Sequence, residues 1–588
     1  MPRSLRSMLV LLLVAAFGLS ACTNNTQPTI SVAATAGPAQ NAIQISIIYA
    51  PESEIYLKDA MASFNQAYAE GRNPVTGQPL AQDEKPIYIT GKSGSSGTVM
   101  QGIVNAFIAP NNQNVERPTI FSPSVSHWLV LANYQVGRDV FDLANSPATA
   151  LAPVVMAIWE SRLKAIQKKH PNEEIGWQQL LEVINNPNGW EDYGFTGRRT
   201  VYYGHTDPFI SSTALSTLMA EFYASARYNA NFTGRRLTMT EVNDQKVQDG
   251  VRQIENLIKH YSQRTTEFKE YIAKGPEYVD FVALEENDLI YINQGKTQYK
   301  PPERLVALYP KEGTFWHEHP FAIPNGDWVS ADQRAAAKTF TDYVLSVPIQ
   351  QAALANGFRP ANPNVALGYP IVSDLGVDPD QPKTVLDVPD PQVVASIQQS
   401  WSFVKKQADI WMVVDISGSM RTDDKIGQAR KAALAFLDKV ESQNRVGLIA
   451  FNQDVNVVVP LDTVERNEAR LKEAIEGLTA DGGTALYDAT AQTIDMIRAE
   501  PDNNRIRALV ILSDGQDTES KISTARDVIN KINATHEDPN PVIVIPIAYG
   551  ADADVSTLGS IARAATTSVQ SGDVSNITQV LQIISSYF

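Results

Sequence analysis

The segment DISGSM places one carboxylate and two hydroxyls at alternate positions, on Asp415, Ser417 and Ser419. It directly follows the apolar run IWMVV. Alternate side chains of an extended or turning backbone point the same way, so these three oxygens can converge on one point. Mg²⁺ binds such oxygens in near-octahedral geometry and usually keeps several waters. The spacing therefore predicts part of a magnesium site, whose remaining ligands must come from later in the chain.

Two later segments offer those ligands. ILSDG places Asp514 just past the apolar run RALVILS, and GLTADGGTALYDA places Thr484 in a glycine-rich loop that opens a helix. Fully apolar strands separated by amphipathic helices continue from Ala408 onward, which indicates a doubly wound, mainly parallel α/β sheet. Ligands gather outside the carboxyl ends of the strands in such sheets, so we expect the three segments at one edge.

Together, DISGSM, the Gly-Thr pair of DGGTALYDA and the SDG of ILSDG resemble the von Willebrand factor A domain and its metal-ion-dependent adhesion site. The resemblance implies that Ser417, Ser419 and Thr484 are hydroxyl ligands. It also implies that Asp415 and Asp514 act largely through waters, and that a carboxylate of a partner protein completes the coordination. The metal would be Mg²⁺, with Mn²⁺ or Ca²⁺ as alternatives.

Each of these residues also has a purely structural explanation. Asp415 and Asp514 could cap helices, and Ser417 and Ser419 could be ordinary turn residues. Their joint occurrence in register favours a site. No histidine lies between Trp411 and Asp514, so a general base of the usual kind is missing beside the cluster. The sequence therefore predicts a binding site and not an enzyme.

The segment IYITGKSGSSGTVMQGIVNAF, from Ile87 to Phe107, runs from a strand through a Gly/Ser-rich loop into a helix. Backbone N–H groups at such a helix start attract anions. A nucleotide-binding loop does not fit, because Pro86 stands where GxxxxGK[ST] requires glycine and the Lys92-Ser93 pair precedes the loop. ATP hydrolysis is therefore not expected.

Similar passages from strand to polar loop to helix occur in TIFSPSVSHWL and YYGHTDPFISSTALSTLMAEF, and LSVPIQQAALANGFRP follows near residue 350. This stretch resembles the type 2 periplasmic solute-binding proteins of ABC transporters. The resemblance implies two α/β lobes with a ligand cleft between them. Six hydroxyl residues are the candidate donors to a small solute in that cleft: Ser93, Ser95, Ser96, Ser122, Thr206 and Ser212. The alternative stays open that such serines cap helices.

The segment TFWHEHP places His317 and His319 at strand spacing on one face. Such a pair could bind a metal. We interpret it instead as two surface histidines on a hairpin.

Composition and charge limit the class of protein. The chain of 588 residues is too long for one ordinary core, and its 43% hydrophobic and 19% charged residues are typical of globular domains. A net charge of −16 argues against binding nucleic acid or an anionic membrane surface through general electrostatics.

We predict these segments: signal peptide 1–21, flexible tether 22–42, solute-binding-protein-like domain 43–363, linker and connecting helix 364–407, and von Willebrand A domain 408–588. The connecting helix leads almost directly into the next strand, which predicts close coupling of the two bodies.

The N-terminus carries Arg3 and Arg6, an apolar stretch from Met8 to Leu19, and LSAC, which ends at the chain's single cysteine, Cys22. A run this short is a signal peptide rather than a membrane span. LSAC resembles the lipobox of bacterial lipoproteins, which implies that Cys22 is lipidated, with palmitate among its acyl chains. An ordinary secretory cleavage site is the alternative, but an odd thiol in a secreted chain otherwise needs a partner.

The sequence thus predicts a lipid-anchored binding protein on the extracytoplasmic face of a bacterial cell membrane. Its partners are a protein at the metal site and a small solute in the cleft. The alternative is the substrate-binding component of an ABC transporter with an accessory A domain. An enzyme in the N-terminal body is the third hypothesis, which the missing nucleotide-binding loop and nucleophile-base pattern weaken.

Replacing Cys22 by serine tests the anchor. Cys22→Ser should leave the precursor unprocessed or release the protein from the membrane fraction, because two or more acyl chains anchor a protein stably whereas one binds only weakly. Membrane fractionation and mass spectrometry of the mature N-terminus measure the outcome, with Thr23→Ser as the control. Recovery of an unmodified, soluble wild-type protein that starts elsewhere would contradict lipidation.

Overall fold

The computed structural model describes most of the chain after the N-terminal segment. The described residues are 37–111, 115–262, 265–500, 502, 504–514, 516–535, 542–550, 553–565, 569–572 and 577–585. The predicted signal peptide, Cys22 and most of the tether lie in residues 1–36, outside the described residues. Within the described ranges, the helices are too short or too polar to span a bilayer.

The first lobe forms around a three-stranded parallel sheet in the order β2-β1-β3. Its strands are rich in isoleucine, a β-branched residue that favours strands. The elements of this lobe are β1 (Ile43–Tyr49), α1 (Glu54–Ala69), β2 (Ile87–Ser93), α2 (Ser96–Ile108), β3 (Ile120–Ser122) and α3 (His127–Val136). The carboxyl ends of all three strands therefore point to one side of the lobe.

The second lobe contains a mixed sheet in the order β6-β5-β7-β4-β8, with β9 paired to β4. Strand β5 runs parallel to β6 and β7, whereas β4 runs antiparallel to its neighbours. The elements in chain order are β4 (Ala152–Trp159), α4 (Glu160–Lys169), α5 (Trp177–Ile184), β5 (Tyr203–Thr206), α6 (Ser212–Asn229), α7 (Met239–Val242), α8 (Gln245–Glu255), β6 (Ile258–Ser262), α9 (Thr265–Ile272), β7 (Phe281–Glu285), α10 (Glu286–Asn293), β8 (Leu305–Leu308) and β9 (Trp316–His317).

The chain then returns to the first lobe through α11 (Ala331–Val344) and α12 (Val347–Ala355). Phe340 of α11 packs edge-on against Phe64 of α1, with ring centroids 5.1 Å apart. Beyond α12, the backbones of Arg359 and Leu151 exchange two hydrogen bonds, of 2.9 and 2.7 Å. These contacts close the two-lobed body.

The C-terminal body is a six-stranded sheet in the order β12-β11-β10-β13-β14-β15, parallel except where β11 meets β12. The predicted fold class, a two-lobed α/β body followed by a doubly wound, mainly parallel sheet, is confirmed. The elements are α13 (Pro391–Val404), β10 (Gln407–Asp415), α14 (Lys425–Leu437), β11 (Arg445–Phe451), β12 (Val455–Thr463), α15 (Val464–Glu476), α16 (Leu486–Ala499), β13 (Arg505–Ser513), α17 (Ala525–Thr535), β14 (Val542–Tyr549), α18 (Val555–Ala564), β15 (Gln570–Gly572) and α19 (Ile577–Ser585).

Helix α13 joins the two bodies through direct packing. Trp401, which is 4% exposed, stacks on the imidazole of His205 in the second lobe at 5.0 Å. Gln398 Nε2 donates a hydrogen bond of 2.9 Å to the Pro208 carbonyl. Buried apolar residues of α13, the second lobe and the C-terminal sheet form one continuous core cluster. The helix is therefore a shared structural element and not a free linker.

Truncation of Trp401 tests this junction. Trp401→Ala should lower the free energy of unfolding by about 3–5 kcal/mol, the usual cost of deleting a buried aromatic side chain. Phe403→Ala, on the same helix but 59% exposed, is the matched control and should change stability by less than about 0.5 kcal/mol. Urea unfolding of the full chain, followed by circular dichroism, measures both. Equal midpoints for the two variants would refute the proposed packing role.

Candidate metal site and ligand cleft

The sheet register brings the predicted metal-site residues to one edge. Strands β10 and β13 pair in parallel with Val414 opposite Leu512, so the residues that follow both strands emerge side by side. Asp415 is the last residue of β10, and Asp514 directly follows β13. The carboxyl ends of neighbouring parallel strands thus place two carboxylates together although the chain separates them widely.

A chain of hydrogen bonds links the hydroxyls to one of these carboxylates. The Oγ atoms of Ser417 and Ser419 lie 3.0 Å apart, and Ser419 Oγ donates to Asp514 Oδ1 at 2.7 Å. Ser417 is buried, whereas Ser419 is exposed. The oxygen cluster therefore reaches the solvent at Ser419.

Asp415 accepts hydrogen bonds from the loop that follows it and from the last residue of β13. Its Oδ1 accepts from the Ser417 backbone N–H at 2.8 Å, and its Oδ2 accepts from Ser513 Oγ at 2.6 Å. Burial raises the pKa of Asp415 to about 6; hydrogen bonds from Ser417 and Ser513 oppose the rise, and the charge of Asp514 adds to it. With both oxygens engaged, this carboxylate orients the Ser417 loop.

The loop that carries Thr484 is joined to the same edge by backbone contacts. Gly418 N–H donates to the Gly482 carbonyl at 3.0 Å, and Thr484 N–H donates to Thr518 Oγ1 at 3.0 Å. Gly482 has a φ of +82°, in the left-handed region that side chains avoid, which explains the glycine there. Thr484 itself is buried beside this turn.

Sequence reasoning missed Lys425. Its Nζ lies 2.7 Å from Asp514 Oδ2, and the two side chains are 6% and 0% exposed. Lys425 is the first residue of α14, where the helix dipole disfavours a cation. A lysine at that position is therefore stabilised by its carboxylate partner, and its occurrence at a helix start was the signal available in the sequence.

The donor set fits a hard divalent cation. Adjacent oxygens of an octahedral Mg²⁺ bound at about 2.1 Å lie about 3.0 Å apart, and the Oγ atoms of Ser417 and Ser419 are separated by 3.0 Å. Ser419 can offer an oxygen lone pair to a metal while its O–H still donates to Asp514, because a hydroxyl both donates and accepts. Oxygen donors of this kind suit Mg²⁺ better than softer metals.

In the N-terminal body, the start of α2 faces protein. Gly97 N–H, in its first turn, donates to the Ile210 carbonyl of the second lobe at 3.1 Å. Nearby, Trp128 Nε1 donates to Ser212 Oγ at 2.9 Å, and Thr206 is buried at the end of β5. One N–H of the helix start that we expected to attract an anion, that of Gly97, is therefore satisfied by the other lobe.

The remaining candidate hydroxyls of the cleft have different surroundings. Ser93 lies in the wall of a cavity of about 400 Å³ between the lobes. Ser96 Oγ accepts from the Ser124 backbone N–H at 3.2 Å. Ser95 and Ser122 are buried, and their hydroxyls have no hydrogen-bond partner in the described structure. Ser95 also makes no capping hydrogen bond to α2, so it does not act as the helix cap that was the alternative.

The interpretation of His317 and His319 as surface residues is wrong, since both are fully buried. His317 Nδ1 lies 2.7 Å from Glu285 Oε1, and His319 Nε2 lies 3.2 Å from Glu285 Oε2. Their other ring nitrogens contact the hydroxyls of Ser216 and Ser53. Burial disfavours charge on His319, but the Glu285 carboxylate outweighs it and raises the pKa of His319. The pair therefore forms a buried polar network around one carboxylate.

Comparison with protein families identifies both bodies. Residues 131–377 match the family model of bacterial extracellular solute-binding proteins, and residues 410–516 match that of the von Willebrand factor type A domain. The two resemblances drawn from the sequence are confirmed. The chain therefore combines a solute-binding-protein-like body with a von Willebrand A domain, and both are families of binding and adhesion domains, not enzymes.

Curated relatives match parts of the chain. An uncharacterized protein of Synechocystis sp. is 32% identical over 108 residues, which cover 18% of this chain and 25% of that protein. Inter-alpha-trypsin inhibitor heavy chain H4 of Bos taurus is 28% identical over 141 residues, or 22% of this chain and 15% of that protein. The chain thus spans a quarter or less of the length of these relatives.

Solved structures match each body separately. The periplasmic binding protein AfuA of Actinobacillus pleuropneumoniae, bound to fructose-6-phosphate, is 15% identical and covers 62% of this chain and 99% of that chain, with a TM-score of 0.41. A von Willebrand factor type A protein of Catenulispora acidiphila is 23% identical and covers 31% of this chain and 43% of that chain, with a TM-score of 0.28.

The buried pair of Lys425 and Asp514 can be tested in the presence of a chelator. Lys425→Met should lower the free energy of unfolding by about 3–5 kcal/mol, because it leaves Asp514 as an unpaired buried carboxylate. Adding Asp514→Asn should recover more than half of that loss. Lys431→Met, exposed on the same helix, is the matched control. Thermal and urea unfolding measure all four proteins; a Lys425→Met protein as stable as the control would refute the pairing.

Proposed function

We propose that this chain is an extracytoplasmic binding protein, anchored to the cell membrane through lipidated Cys22. Its von Willebrand A domain binds a protein partner through a Mg²⁺ site. Its N-terminal body binds a small solute. The solute-binding fold is typical of proteins outside the cytoplasm, and the sequence of the N-terminus supports the anchor.

The observation that carries the metal proposal is the hydrogen-bonded row from Ser417 through Ser419 to Asp514. Three oxygen-bearing side chains from two separate loops lie at 3.0 and 2.7 Å spacing on one sheet edge. Helix caps would instead bond to the backbone of their own helix. The spacing supports the proposal that Ser417 and Ser419 bind the metal directly, while Asp415 and Asp514 orient hydroxyls or waters around it. Thr484 is the third proposed ligand, because its loop is joined to the same edge through the Gly418–Gly482 hydrogen bond.

The proposal for a protein partner follows from the charge and exposure of this edge. Mg²⁺ coordinated largely by neutral hydroxyls and waters keeps much of its positive charge, and an anionic oxygen from outside then completes the site favourably. Ser419 and Gly482 are both exposed, so such an oxygen can approach. A carboxylate on a partner protein is the proposed ligand.

The cavity between the lobes supports solute binding by the N-terminal body. Its volume of about 400 Å³ falls within the range of small-molecule sites in proteins. This cavity also favours the second candidate function, the substrate-binding component of an ABC transporter in which the A domain is an accessory.

Partner capture with and without metal tests the proposed function. Full-length wild type should retain at least one membrane protein in Mg²⁺ and release it in chelator. The double variant Ser417→Ala, Ser419→Ala should retain none in either condition, because it lacks two of the proposed ligands. The matched control is Ser556→Ala, Ser560→Ala on α18, which should behave as wild type. Solute occupancy of the N-terminal body, measured by native mass spectrometry, should survive both pairs of substitutions.

A second readout tests the metal independently of the partner. Mg²⁺ at 100 times its dissociation constant should stabilise the wild type by about 2.7 kcal/mol, and the double variant should lose this stabilisation. Capture that is equal in Mg²⁺ and chelator would contradict adhesion through metal. If the protein captured that way is a permease and the chain holds a solute, the transport function replaces the one proposed.

A further inference from the structure

The cavity between the lobes is acidic. Residues that follow β1 contribute Glu52 and Glu54, and α10 contributes Asp288 from the opposite lobe. Lys269 of α9 is the cation in the lining. Three carboxylates and one ammonium leave a formal charge of −2 in the lining (1 − 3). A negative cavity attracts cations and repels anionic solutes.

The surroundings of Lys269 show that the second-lobe side of the cavity stabilises an ammonium group. Its ammonium lies 2.8 Å from Asp288 Oδ1 and 4.4 Å from the centre of the Tyr291 ring. A carboxylate on one side and an aromatic face on the other are the surroundings that stabilise organic ammonium groups. Tyr291 also lines the cavity, so the same aromatic wall borders the space that a solute would fill.

Two buried acceptors on the same wall have no partner. Asp288 is 1% exposed and Asn287 is 5% exposed, and both belong to the cavity lining. Asp288 Oδ2 and Asn287 Oδ1 make no hydrogen bond in the described structure. Buried oxygens without a donor are costly, so a solute with N–H groups would be favoured over one that brings only further acceptors.

Glu52 adds to the same preference from the first lobe. Burial, together with the nearby carboxylates of Glu285 and Asp288, raises the pKa of Glu52 to about 8. Ser124 Oγ is its one hydroxyl contact, at 3.4 Å. A carboxyl group with this pKa is largely protonated near neutral pH, and a cation placed between the lobes would favour its ionised form.

The arrangement suits an organic cation better than a bare metal ion. Among the described residues, one group of three histidine and carboxylate side chains has its ligand atoms all within 4.8 Å of one another. That group is His205, Glu221 and Glu255, and it lies outside this cavity. The carboxylates of the cavity are spread over two lobes instead. Spread negative charges match a solute whose positive groups are separated by a carbon chain.

We propose that the cavity between the lobes selects a small organic amine, with an ammonium group held by the unpartnered oxygens Asp288 Oδ2 and Asn287 Oδ1 and a second positive end towards Glu52 and Glu54. This inference rests on the proposed solute-binding function and specifies the ligand class. Of the hydroxyl residues predicted as donors to a small solute, Ser93 lines this cavity.

Three probes of equal length test the ligand class on the full-length protein, after extensive dialysis. They are 1,4-diaminobutane, 1,4-butanediol and succinate, which carry two positive, two neutral and two negative ends. We expect 1,4-diaminobutane to raise the melting temperature and bind in calorimetry, and the other two to have no effect. Glu52→Gln and Asp288→Asn should each weaken diamine binding at least tenfold. Asp332→Asn, exposed on α11, is the control and should bind as wild type.

The outcomes separate this inference from the proposed function. If the wild type binds a neutral or anionic solute, from the probes or as purified by native mass spectrometry, and no amine, the amine proposal is overturned while solute binding stands. If neither the three probes nor any copurified molecule binds, solute binding itself fails. Diamine binding that is unchanged by both Glu52→Gln and Asp288→Asn would overturn the assignment to this cavity.

Discussion

Strand β10 is buried on both faces, and the rest of the C-terminal half depends on that constraint. Every residue from Ala408 to Asp415 is buried, between β11 on one side and β13 on the other. Trp411 and Val413 pack into one core cluster, whereas Met412 and Val414 pack into the cluster shared with α13 and the second lobe. A shift of one residue would exchange these two faces, so the register of β10 is firmly set.

That register positions both ends of the strand. At its start, α13 is packed on the second lobe through Trp401, so the C-terminal sheet is attached to the solute-binding-protein-like body by an apolar contact. At its end, Asp415 orients the Ser417 loop towards Asp514. The coupling between the two bodies and the geometry of the candidate metal site therefore depend on the same buried strand.

The two candidate sites balance buried negative charge in the same way. At the sheet edge, Lys425 binds one oxygen of Asp514, and the other oxygen accepts from Ser419. In the cavity between the lobes, Lys269 binds one oxygen of Asp288, and the other has no partner. A buried carboxylate needs a cation to remain charged, and an internal lysine supplies it before any ligand arrives. At the sheet edge both oxygens of Asp514 are engaged, whereas in the cavity one oxygen of Asp288 remains for a ligand.

The sequence by itself determined the elements and the residues of the candidate metal site. Apolar runs such as RALVILS and IWMVV predict strands, because the hydrophobic pattern and length of a strand can be read within a few neighbouring residues. DISGSM likewise carries three oxygen-bearing side chains within five residues. Parallel order brings Asp514 beside Asp415, and the backbone hydrogen bond from Gly418 to Gly482 joins the loop of Thr484 to the same edge. Metal binding by Asp415, Ser417, Ser419, Thr484 and Asp514 stays a prediction. The tertiary structure alone decided which distant side chains pair. Lys425 meets Asp514 across 89 positions, Gly97 meets Ile210 across the lobes, and Glu285 removes His317 and His319 from the surface. No local sequence pattern reveals these pairings, because each depends on how separate elements pack and not on the neighbouring residues in the chain.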